Sequence, residues 1–160
     1  KAVGPRHFCF NPKNDCVYFD NEQGNSVTAY HFDKSNGTIH PFQTVSTLPS
    51  GYRGSNTNAQ IHIAPSGDYL YVSNRGHNSI AMFAVDPRSG ELSSIGQQPT
   101  VEIPRAFNID QTGRFLYSSG LNNGDLASFK IDKDDGRLTP LENRQVGSQP
   151  MWVLALAVET

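Results

Sequence analysis

A ten-residue pattern occurs three times along this chain. Pro12-Lys-Asn-Asp-Cys-Val-Tyr-Phe-Asp-Asn21 aligns with Pro65-Ser-Gly-Asp-Tyr-Leu-Tyr-Val-Ser-Asn74, and again with Gln111-Thr-Gly-Arg-Phe-Leu-Tyr-Ser-Ser-Gly120. The offsets, from 12 to 65 and from 65 to 111, are 53 and 46 residues. They hold through Val27/Ile80/Leu126, Tyr30/Phe83/Phe129, Phe32/Val85/Ile131, Asp33/Asp86/Asp132, Gly37/Gly90/Gly136 and Ile39/Leu92/Leu138. Chance does not produce that register three times. Such a chain is built of equivalent units that bury their apolar faces against one another, and a single unit cannot do this alone.

Each unit reads as four short strands. In the first repeat, apolar residues alternate with period two over residues 7–10, 16–19, 27–32 and 39–45, and no window offers a convincing amphipathic helix. Turn residues separate the strands: a Pro-x-Asn/Gly-x stretch after the first, and Asn36-Gly37, Ser89-Gly90 or Asp135-Gly136 after the third. The 14 glycines and 10 prolines suit a turn-rich fold. A four-stranded meander at this period predicts an all-β protein, a β-propeller of four-stranded antiparallel blades. The blades are expected at residues 4–57, 58–103 and 104–149. A closing inner strand is expected at 150–158, because Pro150 lies where Pro5 and Pro104 lie.

Three blades do not close a ring, since propellers carry typically about four to eight. The chain therefore reads as the C-terminal part of a longer protein, or one piece of a split one. Its expected partners include the missing blades or a second copy, because two open blade faces would leave apolar patches of a kind soluble monomers rarely expose.

Charge removes other classes. The 13 basic and 15 acidic residues nearly cancel, which argues against a nucleic-acid partner. The longest apolar run, residues 151–158, is far short of the about 20 residues a membrane helix needs. Residues 1–11 lack the apolar centre of a signal peptide, and Cys9 and Cys16 make no disulfide framework, so an intracellular, reduced setting is expected. No spacing of His, Cys, Asp and Glu suggests a metal site.

The meander also locates chemistry. The first strand of a blade lies beside the central channel, and the second returns antiparallel to it. The start of one and the end of the other thus share a face. That face should carry Arg6, His7, Asn21 and Glu22 from blade one, Asn74 and Arg75 from blade two, and Arg105 from blade three. Repeat-equivalent positions there differ sharply, as Glu22/Arg75/Leu121 and Arg6/Ala59/Arg105, whereas Tyr18/Tyr71/Tyr117 stay alike. Charges that break the repeat point to function. Three arginines with one carboxylate suit a small anion, because guanidinium groups grip carboxylate or phosphate through two parallel bonds. The competing reading is a set of blade-to-blade salt bridges.

Among the histidines, His7 is the candidate acid or base. His62, on the inner strand of blade two, reads as a hydrogen-bonded structural residue, with substrate contact as its other role. His31, His40 and His77 read as solvated. The strictly repeated Asp33, Asp86 and Asp132 read as turn or packing residues. The stretch of residues 48–57 makes the first inter-blade loop the longer one. It could cover the channel mouth and bring Tyr52 or Arg53 to a ligand.

Taken in order, Gly4-Pro-Arg-His-Phe-Cys-Phe-Asn-Pro12, Asn21-Glu22, residues 61–76, Pro104-Arg-Ala-Phe-Asn-Ile109 and Pro150-Met-Trp-Val153 resemble the seven-bladed lactonase family. That family includes the bacterial propeller-type 6-phosphogluconolactonase and the fungal carboxy-muconate lactonising enzyme. The resemblance covers essentially the whole chain and falls on the C-terminal half of a seven-bladed ring. It implies a cytosolic hydrolase without metal or cofactor, converting 6-phosphogluconolactone to 6-phosphogluconate in the pentose phosphate pathway. In the muconate branch, arginines, a glutamate and a histidine form the proposed site. The matching positions are Arg6, Glu22 and Arg75, and that site's histidine belongs to an earlier blade absent here.

From both lines, Arg6, Arg75 and Arg105 are expected to hold the substrate's anionic group and the developing oxyanion, with Asn21, Asn74 and His62 as further contacts. Glu22 or a histidine, His7 first, is expected to activate water. Two other classes stay open: a muconolactone-type lyase or isomerase, and a non-enzymatic propeller serving as a binding platform.

Overall fold

Alternating apolar residues and closely spaced turns commit each repeat to strands, and the computed structural model of the chain, which describes residues 3–156, contains no helix among them. Strands β1 (Pro5–Phe10), β2 (Cys16–Asn21), β3 (Ser26–Asp33) and β4 (Thr38–Ser46) form the first antiparallel sheet in sequence order. The second holds β5 (Thr57–Ile63), β6 (Tyr69–Arg75), β7 (Ser79–Val85) and β8 (Leu92–Pro99). The third holds β9 (Pro104–Ile109), β10 (Phe115–Gly120), β11 (Asp125–Ile131) and β12 (Leu138–Gln145). The first strands β1, β5 and β9 pack on one another in that order, which puts them at the centre of the fan and β4, β8 and β12 at its rim.

The repeated aspartates are turn residues. Asp33 accepts from the Gly37 amide at 2.8 Å through its carbonyl, and its Oδ1 accepts from the Ser35 amide at 2.8 Å. Asp86 and Asp132 do the same for Gly90 and Gly136 and for the amides inside those turns. The closing glycine is left-handed, with φ of 76° at Gly90 and 72° at Gly136. Its lack of a Cβ also matters for packing, since one added at Gly90 would run into Cys16 Sγ, and one at Gly136 into the ring of Tyr69.

Those turns fasten one blade to the next. Tyr18 Oη donates to the carbonyl of Gly90 at 2.9 Å, and Tyr71 Oη donates to the carbonyl of Gly136 at 2.9 Å. Each phenol bridges from the second strand of its blade to the third turn of the following one, and both rings are fully buried. Around them lie two apolar interfaces. Tyr18, Val27, Ile61, Leu70, Val72 and Phe83 fill the space between blades one and two, and Tyr71, Ile80, Met82, Phe107, Leu116 and Phe129 that between blades two and three. Burial of such side chains stabilises by about 1.5–3 kcal/mol each.

The closing strand expected at 150–158 finds no partner strand among the described residues. Residues 150–156 pair with no strand, and 157 and 158 lie outside the described residues. An extended segment becomes a strand only when a neighbour takes its amides and carbonyls. Here Val153 O accepts one bond, from Asn108 Nδ2 at 3.1 Å, while Trp152, Leu154 and Leu156 stay exposed. Phe8, Phe10 and Ile39 on blade one and Leu141 on blade three are exposed as well.

Candidate anion-binding site

The channel-side face takes its shape from a bulge near the start of β1. Its pairing with β2 slips between Pro5 and Phe8, so Arg6 and His7 leave strict alternation. Below the bulge, Cys9 packs against the interface with blade two, while Phe8 and Phe10 look outward. The same slip occurs in β5 between Asn58 and Ile61.

Glu22 sits where three blades' worth of charge converges. Arg75 Nη2 donates to Glu22 Oε1, and Arg6 Nε lies 3.7 Å from Glu22 Oε2. Each guanidinium has a second anchor on β5: Arg6 Nη1 donates to Ala59 O, and Arg75 Nη2 to Asn58 O at 2.8 Å. The Arg75 Nε is buried and has no partner among the described residues. Burial, and then the positive charge of Arg75, pull the Arg6 pKa down from its ordinary value, with Arg105 adding to the effect. Arg105 thus belongs to the same field. Arg6, Glu22 and Arg75 are in contact, with Arg105 in the same field; the Glu22–Arg75 pair crosses from blade one to blade two, and the Arg6–Glu22 pair lies within blade one. The salt-bridge reading and the anion-site reading describe the same side chains.

His7 lies in that field too. Burial, then Arg6, then Arg105 lower its pKa below the ordinary histidine value, so its imidazole is neutral at neutral pH. His62 interacts with His7 but is packed edge-on against Phe107, ring centroids 4.8 Å apart at 79°. Burial first and the His7 charge second push the His62 pKa down to about 4. It behaves as the structural residue of the two readings.

Asn21 and Asn74, expected as further substrate contacts, are buried and hydrogen-bonded within the fold. Asn21 Nδ2 donates to Ser26 Oγ at 3.0 Å and Thr28 Oγ1 at 2.9 Å. Asn74 is fully buried, donating to Thr47 O and Ser79 Oγ and accepting from Thr47 Oγ1 at 2.9 Å. Both lie on the faces of their strands that secure the start of the third strand, and the loop residue Thr47 completes the second network.

The long loop runs from the rim strand β4 to the central strand β5. Tyr52 and Arg53 line a groove with Gly24, Asn25 and Ser26 around the β2–β3 turn, with Val45 and Ser46 of β4 and with Gln97 of β8, and no contact of either with Glu22 is found among the described residues. Tyr52 packs edge-on against His77 at 4.9 Å, which leaves the expected solvated His77 half-buried.

One residue escaped sequence reasoning. Asp20 is fully buried, and its Oδ1 accepts from the His7 amide at 2.7 Å. Its equivalents are Ser73, which accepts from the Gln60 amide at 3.0 Å, and Ser119. Burial raises the Asp20 pKa to about 6 against the opposing pull of the His7 amide and Arg6. The Asp20/Ser73/Ser119 variation was a signal of the same kind as Glu22/Arg75/Leu121.

Comparison with known proteins adds to this geometry. Residues 1–155 match the family described as lactonase, 7-bladed beta-propeller. The 6-phosphogluconolactonase of Pectobacterium atrosepticum is 38% identical over 158 residues, 99% of this chain and 48% of the relative. A Lactobacillus plantarum protein of solved structure superposes with a TM-score of 0.90 at 30% identity, over 94% of this chain and 44% of that one. The periplasmic gluconolactonase of Pseudomonas aeruginosa gives 0.85 at 31%, over 92% and 41%. The chain spans about half the length of the relatives it matches.

Proposed function

The chain belongs to the seven-bladed β-propeller lactonase family, and from that premise we propose that it supplies the anion-holding side of a lactonase site acting on 6-phosphogluconolactone. The observation that carries this reading is one carboxylate, Glu22, shared by Arg6 and Arg75 with Arg105 in the same field.

In this reading the arginines serve two ends. They hold the phosphate of the substrate, and they stabilise the negative charge that gathers on the carbonyl oxygen when water attacks. Both oxygens of Glu22 face guanidinium groups, so its task is to fix Arg6 and Arg75. His7, neutral at neutral pH, is the better base. It takes a proton as the water oxygen bonds to the carbonyl carbon. The tetrahedral oxyanion then collapses, the ring carbon–oxygen bond breaks, and the alkoxide leaves with the proton from His7. The products are a free hydroxyl and a carboxylic acid, which ionises to the carboxylate and releases its proton to solvent, with no cofactor consumed. The product 6-phosphogluconate would enter the pentose phosphate pathway.

The test uses a complete seven-bladed ring carrying this chain. 6-Phosphogluconolactone and a carboxy-muconolactone are supplied separately and acid release is followed. Saturable turnover of the phosphorylated lactone supports the reading. Turnover of the muconolactone alone replaces it with the sister chemistry, and turnover of neither leaves a binding platform.

A further inference from the structure

Blades one, two and three solve the same local problem with different residues. Where the first strand bulges, a side chain thirteen positions downstream reaches the loosened backbone: Asp20 to the His7 amide, Ser73 to the Gln60 amide, Ser119 to the Ala106 carbonyl. A serine hydroxyl suffices twice. Blade one instead places a carboxylate there, fully buried, with Oδ2 left without a partner among the described residues. An unpaired buried carboxylate oxygen is costly, and a clamp alone does not require it.

What distinguishes blade one is the charge beside the clamp. Asp20 is within electrostatic range of Arg6 and of Glu22, and its charge also bears on Cys9. Burial and that charge push the Cys9 thiol up to about 12, so the thiol stays protonated and contributes no charge. The charged and titratable groups surrounding the carboxylate and its cluster are Arg6, His7 and Cys9 on β1, Glu22 after β2, His62 on β5, Arg75 on β6 and Arg105 on β9. With both carboxylates ionised, three guanidinium charges face two negative ones.

We propose that Asp20 is a positioning residue of the anion site: one oxygen clamps the bulge that presents Arg6 and His7, and the carboxylate charge tempers the arginine cluster so that a bound anion can leave. This rests on the anion-site reading above and adds the residue that sets its affinity. A neutral clamp would hold the backbone equally well and leave the cluster more positive, with anions bound more tightly.

Sulfate is the probe, because its charge does not change between pH 5 and 7.5. In the complete ring, Asp20→Asn keeps an acceptor for the His7 amide and removes the charge. It is expected to bind sulfate about fivefold more tightly than wild type at pH 7.5, on the scale of one partly screened charge. At pH 5 wild-type Asp20 is itself protonated, and the two affinities should converge. Asp20→Ser, the blade-two solution, should follow Asp20→Asn. Asp20→Ala has no acceptor and should bind about fivefold more weakly than Asp20→Asn.

Equal sulfate affinities for wild type and Asp20→Asn at pH 7.5 overturn the charge role. Equal affinities for Asp20→Ala and Asp20→Asn overturn the clamp. Failure of both Asp20→Asn and Asp20→Ser to fold also overturns the proposal, since it holds that a neutral clamp maintains the fold. The lactonase reading fails separately, by absence of lactone turnover in a wild-type ring that binds sulfate. No sulfate binding by the wild-type ring removes the anion site and this proposal together.

Discussion

Glu22 and Arg75 occupy the same position in successive repeats, 53 residues apart, and are bound to one another across the boundary between two blades. The architecture repeats while the charge inverts, so a single repeat position supplies both halves of an ion pair. Arg6 reaches across the same boundary to Ala59 O, its own equivalent in blade two. The site is therefore made by the way neighbouring blades are packed, and its residues are also part of what holds that packing.

Arg75→Ala should lower lactone hydrolysis by the complete ring about 100-fold or more, the scale of losing one donor to a developing oxyanion. Because Arg75 also holds Asn58 O, thermal unfolding should be recorded beside the rate. A folded variant within threefold of wild type removes Arg75 from the chemistry.

His7→Gln should remove the base and lower the rate by about 100-fold. In wild type, the rate should fall as pH drops through the His7 pKa, which burial and two arginines hold below the ordinary histidine value. The variant should lose that acid limb. A pH–rate profile that keeps the limb in the variant assigns it to another group.

Asn74→Ala is expected to act on stability and not on substrate. It removes the bonds Asn74 donates to Thr47 O and Ser79 Oγ and those it accepts from Thr47 Oγ1 and Asn56 Nδ2, a loss of about 2 kcal/mol in urea unfolding. KM should stay within about twofold of wild type. A selective rise in KM with unchanged stability would return Asn74 to the ligand contacts.

Tyr71→Phe removes only the hydroxyl that joins blade two to the Gly136 carbonyl, and should cost about 1–2 kcal/mol. Tyr18→Phe, the equivalent change one blade earlier, should cost a similar amount. Unchanged unfolding midpoints for both would show that the apolar interfaces alone join the blades.

Between pH 6.5 and 4 two buried groups should act on stability with opposite signs. The His62 pKa falls to about 4 in the fold, so its contribution is present above 6.5 and is lost as pH drops toward 4. The Asp20 pKa rises to about 6, so its contribution is present at pH 4 and is lost as pH climbs through 6. Each is worth about 3 kcal/mol at most, and in wild type they largely offset. His62→Leu should therefore gain stability on acidification across this window, and Asp20→Asn should lose it. Parallel pH–stability curves for both variants would overturn this assignment.

The sequence alone determined the three sheets and their strand order and marked Asp33, Asp86 and Asp132 as turn or packing residues, because alternation and turn chemistry are local and the repeat states them three times. It also picked out Arg6, Glu22, Arg75 and Arg105, since a charge that breaks a repeat is visible without coordinates. Tertiary structure decided the direction of each side chain. The β1 bulge resets the alternation around Arg6 and His7, and Asn21 and Asn74 turn into packing although they end the right strands. Tyr52 and Arg53 settle in a groove between the β2–β3 turn and the ends of β4 and β8. Asp20 looked like part of an ordinary strand, and its raised pKa arises only when blade two closes over it and removes the water that would hold its charge.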